Sequence, residues 1–187
     1  MAEFGNNKKG TLGNGTNDDS LEPVQVRIDE NTFLTNVIKI SVGANHVLAL
    51  TSEGKVYAWG ENNLGQLGKS DITNSNYAIL VSSEGSEGSL ARIVDISAGN
   101  LGSTAINEFG WMFVWGNGSY GEMGNGTFKT KYIPSKSAIN TAISASIGNG
   151  HLRMYSSELK SIYMGKKYIW RACKSKYREL SNSRKSI

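Results

Sequence analysis

Apolar and polar residues alternate along two short runs, residues 47–50 (VLAL) and 55–59 (KVYAW), separated by Ser52-Glu53-Gly54. In the first run Val47 and Ala49 stand against Leu48 and Leu50. In the second, Val56 and Ala58 stand against Tyr57 and Trp59. A period of two predicts half-buried strands, and the glycine-bearing turn between them predicts a hairpin. The hairpin sits in residues 40–68, ISVGANHVLALTSEGKVYAWGENNLGQLG, which ends in a glycine-punctuated loop.

The chain repeats this stretch. Gly43, Gly54, Trp59, Gly60, Gly65 and Gly68 recur 56 residues later as Gly99, Gly110, Trp115, Gly116, Gly121 and Gly124. Phe4, Gly5, Gly10, Leu12 and Gly13 stand 55 residues before Trp59, Gly60, Gly65, Leu67 and Gly68, so the chain opens inside a repeat. A further repeat starts at 143–151, where Gly148, Asn149 and His151 correspond to Gly43, Ala44 and His46. Self-similarity at such a period signals a repeat architecture.

Hairpins of the form GxNHxxALTxxGxVYxWGxNxxGQLG at this spacing resemble the regulator of chromosome condensation repeats. The match is close over 40–68, good over 96–126 and partial over 4–16, and it fades after His151. The resemblance implies an all-β fold, the seven-bladed β-propeller of that family. A chain of 187 residues holds roughly three and a half such repeats, whereas closure takes typically 4–8 blades. The expected fold is therefore an incomplete β-propeller over 1–151. Its open blade edges are sticky and favour self-association or pairing with another chain.

Between the hairpins, 23–28 and 33–40 read as strands, the second presenting Val37, Ile38 and Ile40 to neighbouring blades. Residues 69–90 and 124–140 read as long links, with a Ser/Glu/Gly surface loop at 82–89. The second complete hairpin, 103–106 with 111–115, is more degenerate. Gly102 stands there at the histidine position and Trp111 replaces a lysine.

Composition changes the picture in one place. The net charge of +4 divides unequally: residues 1–151 hold 10 Lys and Arg against 14 Asp and Glu, and residues 152–187 hold 10 against 2. The repeat body is mildly acidic, and a nucleic-acid reading rests wholly on the tail, with Lys166, Lys167, Arg171, Lys174, Lys176, Arg178, Arg184 and Lys185 beside Tyr163, Tyr168 and Trp170. That tail lies outside the repeat pattern. Read one nucleotide later, however, the codons of Met164 and Gly165 force a tryptophan 13 positions after His151, the distance from His46 to Trp59. Six codons on, Trp170 and Arg171 force a glycine, matching Trp59 to Gly65. The shifted frame can spell KVYIWGKNIYGEL, although its slot matching Gly54 cannot encode glycine. Residues from about 152 onward are thus expected to be a frameshift product.

Candidate chemistry is sparse. Gly116-Asn117-Gly118-Ser119-Tyr120-Gly121 matches GxGxxG after a strand, but the helix that a dinucleotide fingerprint requires has no counterpart, and the glycines read as turn formers. His46 and His151 occupy equivalent places in different repeats with no recurring third ligand, which points to histidines bonded to backbone at turns. Trp59 and Trp115 recur and read as packing between blades, whereas Trp111 and Tyr120 break the repeat and are candidate surface contacts. Asn14, Asn117 and Asn125 open formal glycosylation sequons that read as polar turns. The single Cys173 excludes an internal disulfide. No stretch reaches the ~18 apolar residues of a membrane span.

No catalytic, cofactor-binding or metal-binding residue is assigned, and the expected role is a non-enzymatic protein-interaction scaffold. The resemblance also implies guanine nucleotide exchange on a small GTPase, an activity that calls for a complete propeller. Chromatin or nucleic-acid binding through the tail ranks below both. The expected partner is a protein, with no membrane. MAEFGNNKKG lacks an apolar leader, so a cytoplasmic or nuclear location is expected over secretion. Nucleotide sequencing across the codons of Asn149 to Ile187 and past the stop should reveal further repeats in the shifted frame; a shifted frame without them would make the basic tail a genuine feature.

Overall fold

The computed structural model describes residues 1–81, 90–124, 127–158 and 161–165. It forms thirteen strands in four antiparallel sheets, with no helix among the described residues. The first sheet pairs β1 (Ala2–Gly5) with β2 (Ser20–Gln25). The second is a four-stranded meander of β3 (Val37–Val42), β4 (His46–Thr51), β5 (Val56–Gly60) and β6 (Ser75–Leu80). The third repeats it with β7 (Ile93–Ala98), β8 (Gly102–Asn107), β9 (Met112–Gly116) and β10 (Lys131–Lys136). The fourth contains β11 (Ala142–Ile147), β12 (His151–Ser156) and β13 (Ser161–Gly165).

Both predicted hairpins form. His46 stands opposite Gly60 and Val47 opposite Trp59, and the pattern returns with Gly102 opposite Gly116 and Ser103 opposite Trp115. Each four-stranded sheet is one propeller blade. Its first strand contacts the first strand of the next, β3 with β7 and β7 with β11, so these strands line one side of an unclosed ring. Glycines at strand ends mark equivalent places: Gly5, Gly60, Gly116 and Gly165 all have φ near +100° (117, 104, 97 and 118).

The structure differs from the sequence reading in several places. The expected links 69–90 and 124–140 each contain a fourth strand, β6 and β10. These outer strands join their sheets with a register irregularity and carry little alternation for a sequence pattern to register. The lead-in strand expected at 33–40 starts later, because Asn36 adopts a left-handed φ of 57° and turns the chain into β3. Ile38 and Ile40, expected to face a neighbouring blade, are 66% and 49% exposed, since the first sheet has only two strands to offer. Finally, β12 begins at His151 and β13 pairs along it, so pairing runs past residue 151. Cys173 and the basic residues from Lys166 on lie outside the described residues.

The core lies between blades. One cluster joins the segment after β2 to β4 and β5 through Val26, Leu34, Val47, Ala49 and Trp59. The largest joins Leu48, Leu50 and Ala58 to Ile96, Ala105, Phe113 and Trp115. A third joins Ile106, Met112 and Val114 to Ile147, Leu152 and Met154. Each blade therefore buries its face only against its neighbour, as in other repeat architectures.

One device recurs at these junctions. The Trp59 indole N–H donates to the Thr11 carbonyl at 2.8 Å, and the Trp115 indole donates to the Gln66 carbonyl at 2.8 Å. Each ring lies over a glycine of the preceding loop. A Cβ at Gly13 would stand 2.9 Å from the Trp59 ring, and one at Gly68 would stand 3.0 Å from Trp115 Nε1. Both glycines also hold positive φ, 61° and 72°, so any side chain there meets strain and a clash together. At the next junction Gly124 has φ 60°, and the side chain against it is Met164. A thioether has no N–H to donate. Met164→Trp should therefore raise stability by about 1 kcal/mol through the restored hydrogen bond, read as a higher urea midpoint; an unchanged or lower midpoint would show that the third junction is built differently.

Candidate interaction face

Alternating strand direction brings the turns at 43–45, 99–101 and 148–150 to one rim, together with the loops at 6–19, 61–74 and 117–124. Two of these loops are shaped by the same buried side chain. Asn7 and Asn62 are fully buried and stand 55 residues apart. The Asn7 carbonyl oxygen accepts from Leu12 N–H at 2.8 Å and its amide donates to the Thr16 carbonyl at 2.9 Å. Asn62 accepts from Leu67 N–H at 2.9 Å and donates to the Asp71 carbonyl at 2.7 Å. Satisfying buried loop backbone in this way keeps a glycine-rich segment in one conformation. In the third loop the equivalent position is Gly118, and its neighbour Asn117, in the place of Glu61, is buried and accepts from the Ser119 N–H and hydroxyl.

Charge joins neighbouring parts of the rim. Lys9 Nζ is 2.9 Å from Glu61 Oε1, and Asn45 Nδ2 donates to Glu61 Oε2 at 3.0 Å. Burial pushes the Glu61 carboxyl upward, but the hydrogen bonds from Lys9 and Asn45 and the Lys9 charge outweigh it, and its pKa lies below the usual value. One carboxylate thus ties a loop of the first blade to a loop and a turn of the second. Lys8, beside Asp19 at 3.8 Å, adds a cation that faces solvent.

His46 is not held by backbone at its turn. It is wholly buried, and its Nε2 lies 2.9 Å from Ser103 Oγ of the next blade, whose hydroxyl donates to the Gln66 carbonyl at 2.8 Å. With that hydroxyl proton committed, Nε2 carries the imidazole proton and Nδ1 is left buried without a partner. Burial pushes the His46 pKa down to about 4, against a small upward pull from Glu61. Although a histidine at a serine suggests a nucleophile and base, both side chains are fully buried and the third, orienting group is missing at Nδ1. The pair joins blades. His151, in the equivalent place, has Nδ1 3.4 Å from the Asn149 carbonyl, a local backbone contact.

The other sequence-derived residues separate. Gly116 ends β9, and 117–124 continue as loop and turn with no helix. Gly118 packs under the Lys129 carbonyl, leaving no room for a Cβ. Trp111 and Tyr120 fall at opposite ends of β9 and cannot form one patch. Trp111 is partly buried, with Lys136 Nζ 3.1 Å from its ring centre, whereas Tyr120 lies on the rim over Gly150 and is 37% exposed. Among the described residues no three His, Cys, Asp or Glu side chains converge as metal ligands, and no helix is long and apolar enough to cross a membrane. Of the features that sequence reasoning missed, the two asparagines carried a signal, their recurrence at the repeat offset. The Glu61 hub and Ser103 carried none, since neither recurs.

Comparison with known proteins agrees with this architecture. Residues 4–50, 53–106 and 110–152 match the profile described as Regulator of chromosome condensation (RCC1) repeat. The chain is 32% identical over 131 residues to the ultraviolet-B receptor UVR8 of Arabidopsis thaliana, covering 70% of this chain and 28% of that protein. It is 34% identical over 142 residues to the human X-linked retinitis pigmentosa GTPase regulator, covering 75% of this chain and 13% of the relative. Similar solved structures are human WBSCR16 (20% identity, TM-score 0.69, 88% of this chain and 42% of that one) and Prp20p of Saccharomyces cerevisiae (16%, 0.62, 97% and 43%). The chain thus spans less than a third of these sequence relatives and less than half of these structures.

Two buried groups titrate in opposite senses. The folded pKa of His46 is depressed, so its contribution to stability is full above 6.5 and is lost as pH falls towards about 4. Glu3 is the reverse: burial, only partly offset by the nearby Trp59 indole, raises its carboxyl to about 7, so its contribution is full below 4.5 and is lost as pH rises through 7. Denaturant titrations should accordingly show His46→Gln flattening the acid-side loss. Glu3→Gln should stabilise the chain above pH 7 and leave it unchanged below 4.5.

Proposed function

Since the chain belongs to the Regulator of chromosome condensation (RCC1) repeat family, we propose that it is a non-enzymatic protein-interaction scaffold that binds a protein partner through the rim loops. The observation that carries this reading is the rigid rim itself. Asn7 and Asn62 hold two loops in the same shape, and Glu61 ties them together through Lys9 and Asn45. Loops presented by a rigid scaffold are where recognition concentrates. The relatives support a protein partner: one is named a GTPase regulator, and the Prp20p structure is described with binding to Gsp1p and histones.

The alternative is guanine nucleotide exchange on a small GTPase. It draws on the same two relatives, and no residue of this chain can be assigned to it. The remainder of the tail is proposed to be out of frame, a reading supported by Met164 standing in the slot of an indole.

Gsp1p and core histones are suitable probes. Under the scaffold reading at least one binds without any acceleration of GDP release, and Lys9→Ala, which frees the Glu61 hub, weakens binding by roughly threefold to tenfold, the scale of ~1 kcal/mol. Accelerated release of labelled GDP from Gsp1p would replace the scaffold by the exchange reading. Binding indifferent to every rim substitution would overturn the choice of face.

A further inference from the structure

The third blade departs from the second at one place on the rim. Within residues 120–132 three aromatic side chains reach solvent: Tyr120, Phe128 and Tyr132 are 37%, 74% and 44% exposed. Each ring lies over a glycine. A Cβ at Gly65 would stand 2.9 Å from the Tyr132 ring, one at Gly121 3.3 Å from the Phe128 ring, and one at Gly150 2.5 Å from the Tyr120 ring. Gly65 and Gly121 belong to the rim loops of the second and third blades, and Gly150 to the turn between β11 and β12. The three rings therefore form a crest across three consecutive sheets. The glycines beneath them hold φ of 80°, 78° and 75°, where a side chain is disfavoured, so the rings rest on backbone that carries none of its own.

The fold does not demand this crest. In the second blade, 56 residues earlier, the positions of Phe128, Lys129, Lys131 and Tyr132 are Ile72, Thr73, Ser75 and Asn76. The backbone takes the same course in both: a Cβ at Gly10 would stand 2.8 Å from Asn76 Cα, and one at Gly65 would stand 2.7 Å from Tyr132 Cα. Ile72 is 57% exposed, so the apolar side chain at that position fills no core in either blade. Small polar side chains suffice in the second blade where the third has a ring and two ammonium groups.

Charge at the crest is unmatched. In the neighbouring loop Glu61 pairs with Lys9, and Lys69 is 3.0 Å from Asp71. Glu122 is buried and accepts from the Tyr120 N–H at 2.8 Å. Lys129 is exposed and Lys131 half-buried, and among the described residues neither forms an ion pair. Two cations thus stand among aromatic rings with no carboxylate to meet them.

We propose that this crest binds a short acidic peptide segment bearing an aromatic or aliphatic side chain, its carboxylates meeting Lys129 and Lys131 and its apolar side chain covered by the rings. The inference deepens the reading of the rim as a protein-binding face and rests on it. Aromatic side chains supply rigid contact area at low entropic cost, and charge complementarity selects the partner. Bases also stack on such rings. A nucleic-acid strand extending beyond the crest, however, would run past Glu61, Asp71, Asp18 and Asp19 on the same rim, and residues 1–151 hold 14 acidic against 10 basic side chains. A short peptide confined to the third blade avoids that repulsion.

Fluorescence anisotropy with a labelled random copolymer of glutamate and tyrosine tests this, with polyglutamate and oligo-dT as comparisons. The copolymer should bind the full chain more tightly than either, and added salt should weaken it. Giving the third blade the second blade's residues, by Phe128→Ile, Lys129→Thr, Lys131→Ser and Tyr132→Asn together, should weaken copolymer binding at least about tenfold. The urea midpoint should stay close to that of the parent chain. Lys129→Glu, at an exposed position, supplies a second variant with the same expected loss. Oligo-dT binding as tightly as the copolymer, or copolymer binding that is absent or indifferent to both variants, would overturn the proposal. Should the copolymer fail, Gsp1p or histone binding that is weakened by Lys9→Ala would show that the rim reading stands without the crest; absence of that binding too would remove both.

Discussion

Everything in this chain depends on how one blade is fastened to the next. Within a blade, backbone hydrogen bonds satisfy the strands, but a four-stranded sheet has no core of its own and must bury a face on its neighbour. The indole of the third strand does this twice over. Its ring fills the space above a loop glycine, and its N–H satisfies the carbonyl at Thr11 or Gln66. Because the glycine is required both by positive φ and by the approach of the ring, tryptophan and glycine recur together across sequence positions some 46 residues apart, Gly13 with Trp59 and Gly68 with Trp115. The third junction keeps the glycine and has methionine in the ring's place.

The polar connections between blades are individual where the apolar ones are periodic. His46 and Ser103 join the second blade to the third, while at the next boundary Gly102 leaves space that the Ile147 side chain enters. Ser41 and Ser97 perform a shared task at both boundaries: each hydroxyl accepts a backbone N–H of the following blade, from Ala98 at 2.9 Å and from Ile147 at 3.2 Å. Lys39 pairs with Asp95 between the same inner strands. The inner side of the ring is thus held by hydrogen bonds and charge, and the space between sheets by apolar packing. The rim inherits its rigidity from both.

Charge on the rim follows from local burial. Glu61 stays ionised despite burial because Lys9 and Asn45 meet both its oxygens, whereas Glu3 has a buried oxygen without such support and is pushed towards its neutral form. The difference lies in the neighbours of each carboxylate.

By itself the sequence determined the repeat, the hairpins at residues 47–59 and 103–115, the packing role of Trp59 and Trp115, and the incompleteness of the ring. These were legible because they rest on short-range alternation and on residue types that one backbone geometry demands, positive φ above all. The outer strands β6 and β10 were not legible, since their side chains follow no simple alternation. Nor were the His46–Ser103 contact, the Glu61 hub or the separation of Trp111 from Tyr120. Such contacts join positions that no periodicity links, and only the stacking of one sheet on the next decides which side chains meet, which are buried, and which buried atoms lack a partner.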